Sequence, residues 1–270
     1  DSERLEKAMV WVDYVIHAAA LKRLDILEYN TEESVKTNIL WTLNLVNAAN
    51  KNCVKKVVFI STDKSCSPIN TYWWCKFVSE RIITESNYSN WEKGTTFLSV
   101  RYGNVINSTG SILPILQQKI RNNEDFLLTS DEMTRFIITE ENAIKLIFDA
   151  FEFWVWWEVI VPKLDSCKVI ALMEAVKKVN NYTCKIKTIG LRPGEKIHEL
   201  MINDTEWHRI IDYKNRYIIW SLIQNYKNIE NKPDYITSWK EITMGEYSSA
   251  WSLISIEELI EKYWKYLLIK

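Results

Sequence analysis

Val54-Lys55-Lys56-Val57-Val58-Phe59-Ile60-Ser61-Thr62-Asp63-Lys64, followed a short turn later by Tyr72-Trp73-Trp74-Cys75-Lys76, decides how this chain folds. A short continuous apolar run is what a strand covered on both faces of a parallel sheet requires, so Val54 to Ser61 reads as a buried strand. Tyr72 to Glu85 reads as the helix that follows it. Working outward, Glu3 to Val10 is a helix, Val12 to Ala20 another apolar strand, Glu32 to Asn50 a helix and Thr96 to Val105 a third strand. Strands alternating with helices predict an α/β fold with a right-handed, doubly wound parallel sheet. Beyond Asn107 the pattern loosens. Ile112 to Arg121, Thr139 to Phe151 and Lys168 to Val179 read as helices, with strands at Val159 to Pro162 and Cys184 to Ile189. Gln224 to Tyr247 is polar and mostly irregular, and Ile254 to Leu268 is an amphipathic helix.

The same stretch carries the chemistry. Ligands of open α/β sheets sit outside the carboxyl ends of the strands, so Thr62, Asp63 and Lys64 would face a cleft as hydrogen-bonding, acid and base groups. A tyrosine hydroxyl titrates near ~10 and is a poor base at neutral pH. A lysine one helical turn along favours its phenolate, so the Tyr72/Lys76 spacing suits removal of a proton from a substrate hydroxyl.

Composition narrows the alternatives. With 270 residues, 47% hydrophobic and 26% charged, the chain reads as a soluble globular protein. A net charge of −1 with scattered basic residues offers no footprint for nucleic acid or an anionic membrane. Five cysteines without paired ligand spacing predict free thiols, no metal site and a reducing, cytoplasmic setting. The start of the chain does not read as a signal peptide, and no apolar stretch reaches the roughly 18 residues that a membrane span needs.

Several strings occur in one order: His17-Ala18-Ala19-Ala20-Leu21-Lys22, Lys36-Thr37-Asn38, Ser61-Thr62-Asp63-Lys64, Pro68-Ile69-Asn70, Arg101-Tyr102-Gly103-Asn104-Val105, Met133-Thr134-Arg135-Phe136 and Arg192-Pro193-Gly194-Glu195-Lys196. Together they resemble the extended short-chain dehydrogenase/reductase family, in its UDP-N-acetylglucosamine 4,6-dehydratase (polysaccharide biosynthesis) branch. The resemblance implies a partial, Rossmann-like NADP-binding domain over 1–107. It also implies a UDP-sugar-binding part over 108–219, with some strands returning to the sheet, and an irregular tail with a terminal helix over 220–270.

By that resemblance NADP, rather than NAD, takes a hydride from the sugar's C4 and returns it to C6 after water is lost across C5 and C6. Tyr72 would deprotonate the C4 hydroxyl with support from Lys76, Lys64 would be the base at C5, and Asp63 the acid at C6, beside Thr62. Ala19, Ala20, Lys22, Asn38, Tyr72, Lys76 and Val105 would contact the cofactor. Lys22, Asn104, Thr109, Gly110, Ser111, Arg135, Arg192 and Glu195 would hold a UDP-N-acetylhexosamine. The two arginines suit the diphosphate because a guanidinium binds phosphate oxygens bidentately. Glu195 is better suited to positioning Arg192 than to touching substrate. Helices 32–50 and 72–85 correspond to those through which such enzymes form homo-oligomers.

Two departures qualify the resemblance. A dinucleotide fold holds the pyrophosphate on a glycine-rich turn after its first strand, and no such turn occurs among six glycines. The chain therefore reads as lacking the first half of that domain, with Val12 to Ala20 exposed as a sheet edge. Among thirteen tryptophans, Trp11, Trp41, Trp73, Trp74, Trp156 and Trp157 stand where the family carries small residues. They either point to solvent or an interface, or fill the nicotinamide end of the cleft. Arg23 also departs from the family pattern. Two other functions stay open: a UDP-sugar 4-epimerase, and a non-catalytic UDP-sugar-binding remnant that assembles with a partner subunit.

Overall fold

The computed structural model of the chain describes residues 1–22, 24–89, 94–108, 110–153, 158–192, 194–220 and 245–269. Its helices are α1 (Ser2–Ala8), α2 (Leu24–Leu27), α3 (Thr31–Ser34), α4 (Trp41–Lys51), α5 (Thr71–Ser89), α6 (Ile112–Arg121), α7 (Glu140–Phe153), α8 (Val169–Val179) and α9 (Ile256–Leu267). Its strands are β1 (Tyr14–His17), β2 (Lys56–Thr62), β3 (Thr96–Tyr102), β4 (Asn104–Val105), β5 (Phe126–Leu128), β6 (Thr134–Ile138), β7 (Val159–Pro162), β8 (Ser166–Lys168), β9 (Ile186–Thr188), β10 (Leu200–Ile202), β11 (Ile210–Tyr213), β12 (Arg216–Ile219) and β13 (Tyr247–Ser248). They pack into two compact units interleaved along the chain. One comprises Asp1–Tyr102, Ile144–Lys163 and Met201–Glu246, the other Gly103–Ala143, Leu164–Leu200 and Tyr247–Lys270.

The first unit is built on a six-stranded sheet in the order β1-β2-β3-β7-β12-β11. β1, β2, β3 and β7 run parallel, and the hairpin of β11 and β12 joins β7 antiparallel. Alternation along β2 and β3 supplies both faces. Val57, Phe59 and Phe97 pack with Leu45, Val46 and Ile83 from α4 and α5, whereas Val58, Leu98 and Val100 pack with Leu146 and Ala150 from α7. A strand covered on both sides needs apolar residues at every position, and this is why residues 57–60 read so clearly. The α/β parallel-sheet fold expected from the sequence is the one observed, with an antiparallel hairpin added at one edge.

The boundaries needed correction in three places. The strand expected over Val12 to Ala20 is only Tyr14–His17, because β1 is an edge strand with β2 as its neighbour. The single strand expected over Thr96 to Val105 divides at Gly103, where β3 stays in the large sheet and β4 pairs with β6. The helix expected over Glu32 to Asn50 is interrupted by π-helical turns at Val35–Leu40. Such bulges recur at functional sites, and Asn38 lies in this one.

The second unit contains a three-stranded sheet in the order β4-β6-β8 and a pair, β5 with β9. α6, α8 and α9 enclose its core, which includes Leu113, Leu116, Phe126, Leu172, Met173, Leu259 and Leu267. The C-terminal segment belongs fully to this core. Leu253 bridges to Ser166, and Lys262 and Tyr263 both donate to Asp165 Oδ2, at 2.9 and 3.2 Å. Trp156, Trp157 and the polar stretch 224–244 lie outside the described residues. Among the described residues no helix is long and apolar enough to cross a membrane.

Candidate active site

β2 ends in the 3-10 turn Asp63–Ser65, capped by Thr62, whose hydroxyl oxygen accepts the Lys64 backbone N–H. Asp63 is fully buried. Its Oδ1 accepts from the Thr62 hydroxyl at 2.8 Å and from the Lys64 ammonium at 2.9 Å, while Oδ2 is buried without a partner among the described residues. An unsatisfied buried carboxyl oxygen is costly and calls for an explanation.

α5 starts where Asn70 Oδ1 accepts the Trp73 N–H at 3.0 Å and Glu28 accepts the Thr71 N–H at 2.9 Å. Its first turn carries Tyr72, a half-buried side chain. Burial pushes the Tyr72 hydroxyl above its ordinary pKa, the positive charge of Lys64 pulls it back down, and Asp63 pushes it up. Lys76 is buried and donates to Ile60 O at 2.7 Å, with its ammonium 4.2 Å from the Phe59 ring centre. Burial lowers its pKa to about 8, and Glu80 opposes that shift. Tyr72 thus feels the charges of Asp63 and Lys64, and Lys76 is anchored against β2.

Ala18 and Ala19 are exposed beyond the end of β1, Ala20 is half-buried, and Lys22 is exposed. Asn38 is buried and clamps this segment: its Oδ1 accepts the Leu21 N–H at 2.8 Å and its Nδ2 donates to Leu21 O at 3.2 Å. Its side chain is committed to shaping the segment. Small residues held open at a strand end leave the backbone accessible to a flat group, which is compatible with a nicotinamide ring. Of the tryptophans at small-residue positions, Trp11 and Trp74 face solvent, Trp41 packs beside His17, and among the described ones only Trp73 is fully buried. Arg23 lies outside the described residues.

The second unit holds a cavity of about 370 Å³ lined by Asn104, Val105, Gly110, Ser111, Arg135, Arg192 and Glu195, over an apolar floor that includes Leu113, Met133 and Met173. All of these polar residues were expected at the substrate or cofactor from the sequence. Thr109 and Pro193 lie outside the described residues. Ser111 Oγ is buried and lacks a partner among the described residues. Glu195 braces the turn that carries Arg192: its Oε2 accepts the Arg192 N–H at 3.2 Å, and its own N–H donates to Arg192 O at 3.1 Å. Two guanidinium groups over an apolar floor can hold an anionic group joined to a flat, less polar one.

One supporting residue had no signal in the sequence. Glu80 Oε2 accepts from the hydroxyls of Ser61 and Ser65 and from Arg101 Nε. It ties the turn bearing Asp63 and Lys64 to the helix bearing Tyr72 and Lys76. Its place one turn beyond Lys76 on α5 acquires meaning only once β2 and α5 are seen packed together.

A family profile described as "Polysaccharide biosynthesis protein" matches residues 1–221. The chain is 40% identical over 220 residues to UDP-N-acetylglucosamine 4,6-dehydratase (inverting) of Campylobacter jejuni, covering 81% of itself and 65% of that protein's length. It is 36% identical over 215 residues to UDP-glucose 4-epimerase of Rickettsia bellii, covering 80% of itself and 63% of that relative. Among solved structures, Pen from Bacillus thuringiensis superposes with a TM-score of 0.87 at 34% identity, over 99% of this chain and 80% of that one.

Proposed function

The chain belongs to the polysaccharide biosynthesis protein family, and from that premise we propose that it carries the active-site portion of an NADP-dependent UDP-N-acetylhexosamine 4,6-dehydratase, a lyase of the extended short-chain dehydrogenase/reductase type. The observation that carries this reading is the juxtaposition of Asp63 and Lys64 with Tyr72 at the end of β2. Bound NADP supplies the hydride acceptor for C4 and the hydride donor for C6. Tyr72 accepts the proton of the C4 hydroxyl, Lys64 removes the C5 proton and returns one to C5 when the hydride reaches C6, and Asp63 protonates the departing C6 hydroxyl, so that one water leaves. A carboxyl and an amine side by side can hold opposite protonation roles when their surroundings separate their pKa values.

Ala19, Ala20, Lys22 and Lys76 would border the nicotinamide, with Val105 as a further candidate, and Asn38 would act there through its hold on Leu21. Asn104, Thr109, Gly110, Ser111, Arg135 and Arg192 would hold the UDP-sugar, with Glu195 fixing the Arg192 turn. We place the enzyme in the cytoplasm as a homo-oligomer packed through α4 and α5. The epimerase reading draws on the Rickettsia relative, but epimerisation at C4 has no use for an acid and base that remove water. The remnant reading draws on the tryptophans that stand at small-residue positions, Trp73 among them buried on α5.

NADPH titration followed by nicotinamide fluorescence, with and without UDP-N-acetylglucosamine, tests the cofactor site. A 4-keto product assay then tests the chemistry. Saturable cofactor binding, with product formation lost by ~10²-fold or more in Tyr72→Phe, is the expected result. Binding of the UDP-sugar without NADPH binding would favour the remnant, and undiminished product from Tyr72→Phe would overturn the assignment of the base.

A further inference from the structure

Arg135 lines the cavity, yet most of its guanidinium hydrogens are given to the protein's own backbone. Nη1 donates to Thr134 O at 2.7 Å and Ile197 O at 3.1 Å, Nη2 donates to Lys196 O at 3.0 Å, and Nε lies 3.7 Å from the Glu199 carboxyl. These bonds aim the group, and they also hold the backbone that follows the Arg192 turn. Behind them is a residue outside the family match over 1–221. The fully buried Ser249 hydroxyl lies 2.6 Å from Thr134 Oγ1 and accepts the Glu199 N–H at 2.9 Å, while the Ser249 N–H donates to Glu199 O at 2.8 Å. One side chain therefore ties Thr134 on β6 to the backbone at Glu199, the two residues beside the guanidinium. An anion site needs its cation held within a few tenths of an ångström, which falls to such supporting bonds.

We propose that Ser249 and Glu199 are positioning residues for Arg135, so that the C-terminal segment 245–269 sets the affinity of the cavity for a nucleoside diphosphate. This rests on reading the cavity as a diphosphate site, as above. Calorimetric titration of UDP into the whole chain tests it, with thermal melting recorded for every variant. Arg135→Ala reports on the site itself. Ser249→Ala and the near-isosteric Glu199→Gln report on the positioning. Ser248→Ala is the control, because that buried hydroxyl accepts the Ala250 N–H at 3.2 Å, apart from the arginine.

The expected result is UDP binding weakened about tenfold in Ser249→Ala and Glu199→Gln, with Ser248→Ala at parental affinity even where its melting temperature falls. If Ser249→Ala does not fold, Glu199→Gln decides alone. Parental affinity in Glu199→Gln and in any folded Ser249→Ala, alongside lost affinity in Arg135→Ala, would overturn the positioning role and leave the diphosphate site standing. Absence of UDP binding by the parent chain, or indifference to Arg135→Ala, would remove the diphosphate site and this inference with it.

Discussion

His17 shows how a single buried residue links this fold to pH. It lies at the end of β1 with Nε2 2.9 Å from Thr42 Oγ1, and burial together with the nearby Lys76 charge lowers its pKa to about 4. Between that value and the ordinary 6.5, the unfolded chain binds a proton that the folded chain refuses. Stability therefore rises with pH across this window, is complete above 6.5, and is lost as pH falls toward 4. Urea midpoints measured from about pH 4 to 7 should fall on acidification by the equivalent of roughly 3 kcal/mol, and His17→Gln should flatten that dependence. Trp11 is a simpler case. It stands at φ 65°, where glycine is favoured, and is 98% exposed, so its ring gains little packing for the strained backbone. Trp11→Gly should raise stability by about 1 kcal/mol in the same assay.

At the scale of elements, the clearest local rule is at α9. Ser255 Oγ accepts the Glu258 N–H at 3.2 Å, and Glu258 returns the bond by accepting the Ser255 N–H at 2.8 Å, a complete capping box. Ser255→Ala should cost about 1 kcal/mol, read as a lower melting temperature. The order of residue types alone carries that signature, as it carries the apolar face of α9 and the two-sided run of β2. The strand β9 falls within the run Cys184 to Ile189 that the sequence marks, but its partner β5 is not legible in this way. It has three residues, and Phe126 finds its partner Ile186 only when the chain returns sixty positions later. Nothing local in Phe126–Leu128 distinguishes a strand from a turn, and the same holds for β8.

At the scale of the molecule, the first unit is organised around a buried charge. Arg101, on β3, is fully buried and pairs with Glu80 from α5 and with Glu206, while donating to Met201 O at 2.7 Å. Removing the cation would leave two carboxyl groups buried without it. Arg101→Met should therefore destabilise the chain by ~3–5 kcal/mol in urea unfolding, more than Ser255→Ala. The sequence by itself determined the parallel α/β core and the candidate acid, base and tyrosine, because periodicity and short spacings express local geometry. It also marked Arg135 and Arg192, through strings that resemble a known family. Only the tertiary structure decided that the Lys64 ammonium pairs with a fully buried Asp63, that Asn38 is spent on clamping Leu21, and that Ser249 bonds Thr134 beside Arg135. Those relations depend on how the strands and helices pack, and burial and hydrogen-bond completion select them only after that packing has brought the residues together.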